Sequence, residues 1–209
     1  MSDRIVFLAS RNAKKLGEMQ RILAEVASGV VVVGLDEVAA YDEPVEDQPG
    51  FEGNALLKAR AGLTATGLPT LADDSGLCVD ALNGMPGVLS ARWAGPPKSD
   101  ARNNELLLAQ LADVPDERRT AHFTCAVAYC HPDGTTHVVH GHMPGRVARE
   151  PRGSGGFGYD VLFVADELAE VDGREVTTAE LDAADKDRIS HRGKALAEIA
   201  PLVAASFGS

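Results

Sequence analysis

Two adjacent carboxylates, Asp73 and Asp74, open the polar segment Asp73-Asp74-Ser75-Gly76 at the end of a short apolar strand, Pro69 to Ala72. Neighbouring side chains in an extended segment point to opposite sides, so one of the two faces a given ligand and the pair need not act alike. A carboxylate at a strand end is suited to hold Mg²⁺, which takes oxygen ligands and keeps several waters, and to orient or deprotonate an attacking water. A second acidic group, Asp42, Glu43, Glu46 and Asp47, can supply a further ligand. A plain Asp-Asp-Ser-Gly turn and a solvated acidic loop are the competing readings of these residues.

The natural target of such a metal is phosphate, and Ser10-Arg11-Asn12-Ala13-Lys14-Lys15 falls where a strand hands over to a helix. There a hydroxyl, backbone N–H groups, the positive helix end and a lysine can converge on an anion. The glycines of a GxxxxGK[ST] loop are missing, so this is no Walker A motif, and a simple helix N-cap competes with the cradle. Further on, Gly153 to Asp160 (GSGGFGYD) offers Phe157 and Tyr159 as rings that can stack on a base and Asp160 as an acceptor for a purine ring N–H. Lys186, His191 and Arg192 gather cationic and donor groups near the start of the last helix. His137, His140 and His142 lack a Cys, Asp or Glu at ligand spacing and read as residues of a solvated hairpin.

Composition bounds what these groups can serve. A chain of 209 residues with 44% hydrophobic content holds one well-buried domain spanning 1–209. No window has the apolar length to cross a bilayer and the opening residues do not resemble a secretory leader, so a cytoplasmic protein without a membrane partner is expected. Cys78, Cys125 and Cys130 match no metal or redox spacing and sit in apolar surroundings, as packing residues do. A net charge of −11 repels nucleic-acid polymers. A small anion still binds where a metal and a few cations meet in one place, because charges beyond about 10 Å are screened.

Periodicity then places the candidates. Arg4–Ala9 reads as a buried strand, Lys14–Val26 as a helix, Val30–Val33 as a strand and Asp36–Gly50 as loop. Phe51–Thr66 is helical, Pro69–Ala72 a strand ending at the two aspartates, and Leu77–Leu82 a further strand. Asp100–Leu111 is a helix after the loop Asn83–Pro97. Ala121–Cys130 and Thr135–His142 form a hairpin about His131-Pro132-Asp133-Gly134. After the strand Val161–Val164, a capping box of Thr177 and Glu180 predicts a short helix, and His191–Ala204 closes the chain as another. Strands alternating with helices around an inserted hairpin predict an α/β protein with a mixed sheet.

SRNAKK, FEGNALLKA, ADDSG, MPGVLSARWAG, GSGGFGYD and ISHRGKAL occur in one order over nearly the whole length. In these motifs the chain resembles the inosine triphosphate pyrophosphatase family, the non-canonical purine NTP or dITP/XTP pyrophosphatases. The resemblance implies an elongated mixed β-sheet flanked by helices, two lobes with a central nucleotide-binding cleft, and a homodimer. It implies Mg²⁺-dependent hydrolysis of ITP, dITP and XTP to the monophosphate and pyrophosphate, removing deaminated purines from the nucleotide pool. By this match Ser10, Asn12 and Lys15, within the Ser10–Lys15 segment, belong to the triphosphate loop, and Lys58 reaches the phosphates. Asp74 is the metal-binding general base with Ser75 beside it, and Glu46 is the second metal ligand, with Glu43 as its alternative. Phe157, Gly158, Tyr159, Asp160, Lys186, His191 and Arg192 fall on nucleoside-binding positions. The chain departs from the pattern at Arg11, where the family has glycine; a left-handed backbone there would cost arginine about 1 kcal/mol. The competing functions are a Maf-type nucleotide pyrophosphatase, opposed by FGYD and SHRG, and a sensor without turnover, opposed by the presence of Asp74, Lys15 and Glu46.

Overall fold

The computed structural model describes residues 4–11, 16–17, 20–21 and 29–207. A six-stranded sheet runs in the order β2-β1-β3-β4-β5-β6, with β1 Arg4–Leu8, β2 Val30–Val33, β3 Thr70–Val79, β4 Thr120–Cys130, β5 Thr136–Val147 and β6 Phe163–Ala165. β1 pairs in parallel with β2 and β3, whereas β5 and β6 are antiparallel, so the sheet is mixed as expected. A two-stranded ribbon pairs β7 Glu170–Val171 with β8 Arg174–Glu175. The helices are α1 Phe51–Thr66, α2 Asp100–Gln110, α3 Ala183–Ile189 and α4 His191–Ser206. Of the helix expected over Lys14–Val26, the described residues Leu16, Gly17, Gln20 and Arg21 are helical and the others lie outside the described residues.

Two compact units divide the chain, residues 1–74, 125–141 and 192–209 in the first and residues 75–124 and 142–191 in the second. In the first unit strand alternation sorts side chains onto two helices. Val6, Leu8, Leu71, Cys125, Val127 and Tyr129 pack with Leu196, Ile199 and Val203 of α4. Phe7, Ala9, Ala72, Ala126 and Ala128 pack with Ala55 and Ala59 of α1. The α1 side is built from small residues, so that helix lies close to the strands: a Cβ on Gly62 would come within 2.8 Å of Thr70 and 2.9 Å of Phe7. In the second unit Leu77 and Val79 of β3 pack with Leu107 and Leu111, Phe123, Met143, Tyr159 and Phe163.

Three expectations change. Asp73-Asp74-Ser75-Gly76 is not a turn at a strand edge but the middle of the ten-residue β3. The polar residues there find side-chain partners, so the backbone continues the ladder. The strand expected over Leu77–Leu82 ends at Val79, followed by a turn of 3₁₀ helix at Asp80–Leu82. Thr177 and Glu180 do form the main-chain half of a capping box, Thr177 N–H to Glu180 Oε2 at 2.8 Å, but they close a turn. The helix opens later, at Ala183, where Asp182 accepts from Asp185 N–H at 2.8 Å. The hairpin about His131–Gly134 is present, closed by His131 N–H to Thr135 O at 2.9 Å, and its strands are longer than the periodicity suggests.

Gly62→Ala tests the close approach of α1. Overpacking against the buried Thr70 and Phe7 side chains costs about 1–3 kcal/mol; urea unfolding should show a loss in that range, and an unchanged midpoint would mean that α1 can shift without penalty.

Candidate active site

The alternation that sorts the core also separates the two carboxylates. Asp73 shares the face of Leu71 and meets the start of α4, where Arg192 Nε and Nη2 donate to its Oδ2 at 3.4 and 3.5 Å. Asp73 and Arg192 are each 2% exposed, so this is a buried ion pair. Asp74 shares the face of Ala72 and meets α1, where Asn54 Nδ2 donates to its Oδ2 at 2.9 Å. The other end of that amide, Oδ1, accepts from Gln48 N–H at 3.0 Å, which fixes the Asn54 orientation and ties the acidic loop to α1. Asn54 and Lys58, four residues apart, share one helix face.

Lys58 is the cation of this group, donating to Glu46 Oε1 at 2.6 Å. Burial alone would push its ammonium down, but Asp73, Glu46 and Asp74 outweigh that and hold it above the usual lysine value. Glu43 is engaged elsewhere, accepting from Arg11 Nε at 2.5 Å. Arg11 and Glu43, with Ser10 and Tyr41, line a cavity of about 380 Å³ at the end of β1. Asn83 and Asp172 are the non-glycine residues with positive φ among those described, so Arg11 carries no left-handed strain. The rest of the expected phosphate loop, Asn12, Ala13, Lys14 and Lys15, lies outside the described residues.

A second set of candidates belongs to the other unit. Asp160, 5% exposed, accepts on Oδ2 from Lys186 Nζ at 2.5 Å and Phe157 N–H at 2.8 Å, and on Oδ1 from Thr178 Oγ1 at 3.0 Å. Its carboxylate therefore holds the loop together, and any bond to a purine N–H would be shared with these donors. Lys186 Nζ also lies 5.4 Å from the Phe157 ring centroid, within cation–π range. Gly156 has φ +69°, and a Cβ there would fall on the Asp160 carboxylate and the Lys186 ammonium. Tyr159 is buried and donates to Ser90 O at 2.9 Å; burial, with Asp100 adding to it, pushes its phenol well up, so it stays a protonated donor. The His191 ring stacks on Phe123 at 4.9 Å and 11°, and Ser190 is 1% exposed. Ser75 is partly buried in β3.

The sequence matches the family model of the Ham1 family over residues 6–202. The chain belongs to the Ham1 family. It is 59% identical over 201 residues to a protein of Nocardia farcinica named dITP/XTP pyrophosphatase, covering 96% of this chain and 95% of that one. A Corynebacterium efficiens protein of the same name is 54% identical, covering 97% of this chain and 99% of that one. Among solved structures, a nucleoside-triphosphatase / dITP/XTP pyrophosphatase from Mycobacterium abscessus is 52% identical with a TM-score of 0.74, covering 94% and 99% of the two chains. The Staphylococcus aureus Ham1 protein is 35% identical with a TM-score of 0.83, covering 97% and 99%.

Within this Ham1 chain, sequence reasoning missed three contributors. Asn54 orients Asp74, and its signal was a polar residue one turn before Lys58 on a helix otherwise lined with alanine. Asp73 is the buried partner of Arg192, a pairing across 119 positions that no local pattern announces. Thr178 holds the Asp160 carboxylate. His142 and His140 pair with Thr124 and Glu52 at 3.1 and 3.5 Å, and no metal-holding group of three His, Cys, Asp or Glu occurs among the described residues. Among those residues no helix is long and apolar enough to cross a membrane.

Removing Asp73 would take a carboxylate away from the buried Arg192 guanidinium. Breaking one side of a buried pair costs about 3–5 kcal/mol, so Asp73→Ala should lose that much in urea unfolding and Asp73→Asn, which keeps an acceptor, clearly less. Equal, sub-kcal/mol losses for both variants would show that the pair contributes little.

Proposed function

We propose that this protein hydrolyses non-canonical purine nucleoside triphosphates, dITP, ITP and XTP, to the monophosphate and pyrophosphate. The observation that carries the reading is Lys58, which donates to Glu46 and feels the charge of Asp74, so that two carboxylates stand beside a lysine, in a chain 59% identical to a dITP/XTP pyrophosphatase. Glu46 and Asp74 both act on Lys58, and two carboxylates of that kind are hard oxygen donors. Glu46 and Asp74 fit Mg²⁺, which prefers carboxylate oxygen; Glu43 fits it less well because Arg11 engages it. When bound, Mg²⁺ would supply positive charge to the phosphoryl oxygens.

The residues of the chain carry the remaining steps. Asp74, held by Asn54, orients a water and takes its proton as the oxygen attacks the α-phosphorus. The α–β bridging oxygen leaves with the pyrophosphate, and Lys58 with the lysines of the Ser10–Lys15 segment balances the charge that develops. Base selection is assigned to the residues that the family resemblance matches to the nucleoside. Phe157 stacks on the purine, Lys186 and the Ser190-His191-Arg192 segment supply donors for a 6-oxo group, and Gly158, Tyr159 and Asp160 shape the loop. A 6-amino purine would put donor against donor, an unpaired buried group costing about 1–3 kcal/mol. A cytoplasmic location, expected from the sequence, and a homodimer, which the family resemblance implies, belong to the same proposal.

Wild-type protein should release pyrophosphate from dITP and XTP only with Mg²⁺, lose turnover in EDTA, and use dATP roughly 10–100-fold less well. Asp74→Asn should lower kcat by about 10²-fold or more with its unfolding midpoint kept. Orthophosphate release or equal use of dATP would sink the substrate assignment, and an Asp74→Asn variant within tenfold of wild type would remove Asp74 as base.

A further inference from the structure

Helix α2 grips the loop assigned to the base through two side chains one turn apart. Asp100 Oδ2 accepts from Gly158 N–H at 2.8 Å, and Asn104 Nδ2 donates to Gly158 O at 2.9 Å. Residues at i and i+4 share a helix face, so one face of α2 holds both main-chain polar groups of a single residue. Gly158 has φ +62° and stands between Phe157 and Tyr159. Fixing the peptides on either side of it fixes the direction in which those two rings leave the backbone.

The same helix holds a second loop. Asn103 Oδ1 accepts from Ala94 N–H at 2.8 Å and its Nδ2 donates to Ser90 O at 3.3 Å, the carbonyl that Tyr159 Oη also reaches at 2.9 Å. Leu107 and Leu111 anchor α2 in the core, so both loops are referred to a rigid element. The amide of Asn104 is buried, at 7% exposed, and its Oδ1 has no hydrogen-bond partner among the described residues. Burying a half-satisfied amide is unfavourable, and an apolar residue would serve packing better. What asparagine adds at this position is the donor to Gly158.

We propose that Asp100 and Asn104 are positioning residues for base recognition, clamping Gly158 so that Phe157 and its neighbours are set for a purine before it arrives. This rests on the assignment of the Phe157–Asp160 loop to the base, and the clamp itself has a readout that needs no turnover.

The test compares full-length wild type, Asp100→Ala, Asn104→Ala, Asp100→Asn, which keeps an acceptor, and Glu105→Gly, which weakens α2 on its exposed side. Amide hydrogen exchange at Gly158, KM and kcat for dITP, and urea unfolding are measured on each. Both alanine variants should speed Gly158 exchange at least tenfold and raise KM about tenfold with kcat kept within about threefold, the scale of one lost hydrogen bond. Asp100→Asn should stay near wild type in both, and Glu105→Gly should lose stability without the rise in KM. Unchanged Gly158 exchange, faster exchange with unchanged KM, or an equal rise in KM in Glu105→Gly would each overturn the proposal. Wild type that fails to hydrolyse dITP would instead refute the assigned function, leaving Gly158 exchange to decide whether the clamp exists.

Discussion

Two neighbouring carboxylates buried in the middle of a central strand cannot be satisfied from one direction. Strand geometry sends Asp73 and Asp74 to opposite faces, and an unpaired buried carboxylate costs several kcal/mol, so each face must bring its own partner. The α4 side brings Arg192 and the α1 side brings Asn54 and, by charge, Lys58. Much of the first unit follows from this. The chain must deliver a cation at the start of its last helix and a donor near the start of α1, and β1 and β4 must flank β3 so that the carboxylates lie inside the sheet.

The two partners differ in kind, and so do the two aspartates. An arginine fork gives Asp73 a permanent charge partner, which makes that pair structural and limits what Arg192 has left for a ligand. A neutral amide orients Asp74, whose charge also acts on Lys58, the lysine that donates to Glu46. A carboxylate oriented by a neutral amide is the one to which the metal and the proton are assigned in the proposed function. The alanines and Gly62 along the α1 contact let the helix approach closely enough for a short asparagine to reach the strand. By the proposed function, such a local arrangement is what lets a protein of charge −11 receive a polyanion.

The features read well from the sequence were those with local causes. β1, the hairpin turn about His131–Gly134 and the α1, α2 and α4 helices follow from apolar spacing and from turn residues; the bounds of β1 and the helices agree closely with the structure, whereas the second hairpin strand runs on to Val147. Asp73-Asp74-Ser75-Gly76 was misread because turn propensity is local, whereas the ladder through it is kept by Arg192 and Asn54, which are distant in sequence. The helix start near Thr177 was misplaced because a capping-box bond can close a bare turn; nothing in four residues tells which follows. Lys58 and Glu46 came from family resemblance, and their 2.6 Å contact supports grouping them. The engagement of Glu43 by Arg11 bears on a choice that spacing left open.

Selectivity and chemistry are assigned to different kinds of structure, and magnitudes explain why. Hydrolysis needs charge stabilisation worth many kcal/mol, and of the residues proposed for it Asp74 and Lys58 stand on a strand and a helix interior, where burial strengthens electrostatic interactions. Telling a 6-oxo from a 6-amino purine needs about 1–3 kcal/mol, which a loop can supply only if it does not adapt to the wrong base. Asp160 is engaged by Lys186, Thr178 and Phe157, and Gly158 by α2; these bonds remove the freedom through which a glycine-rich loop would lose its selectivity. A loop with several glycines is thus compatible with discrimination, because glycine permits the backbone path and the surrounding hydrogen bonds forbid the alternatives.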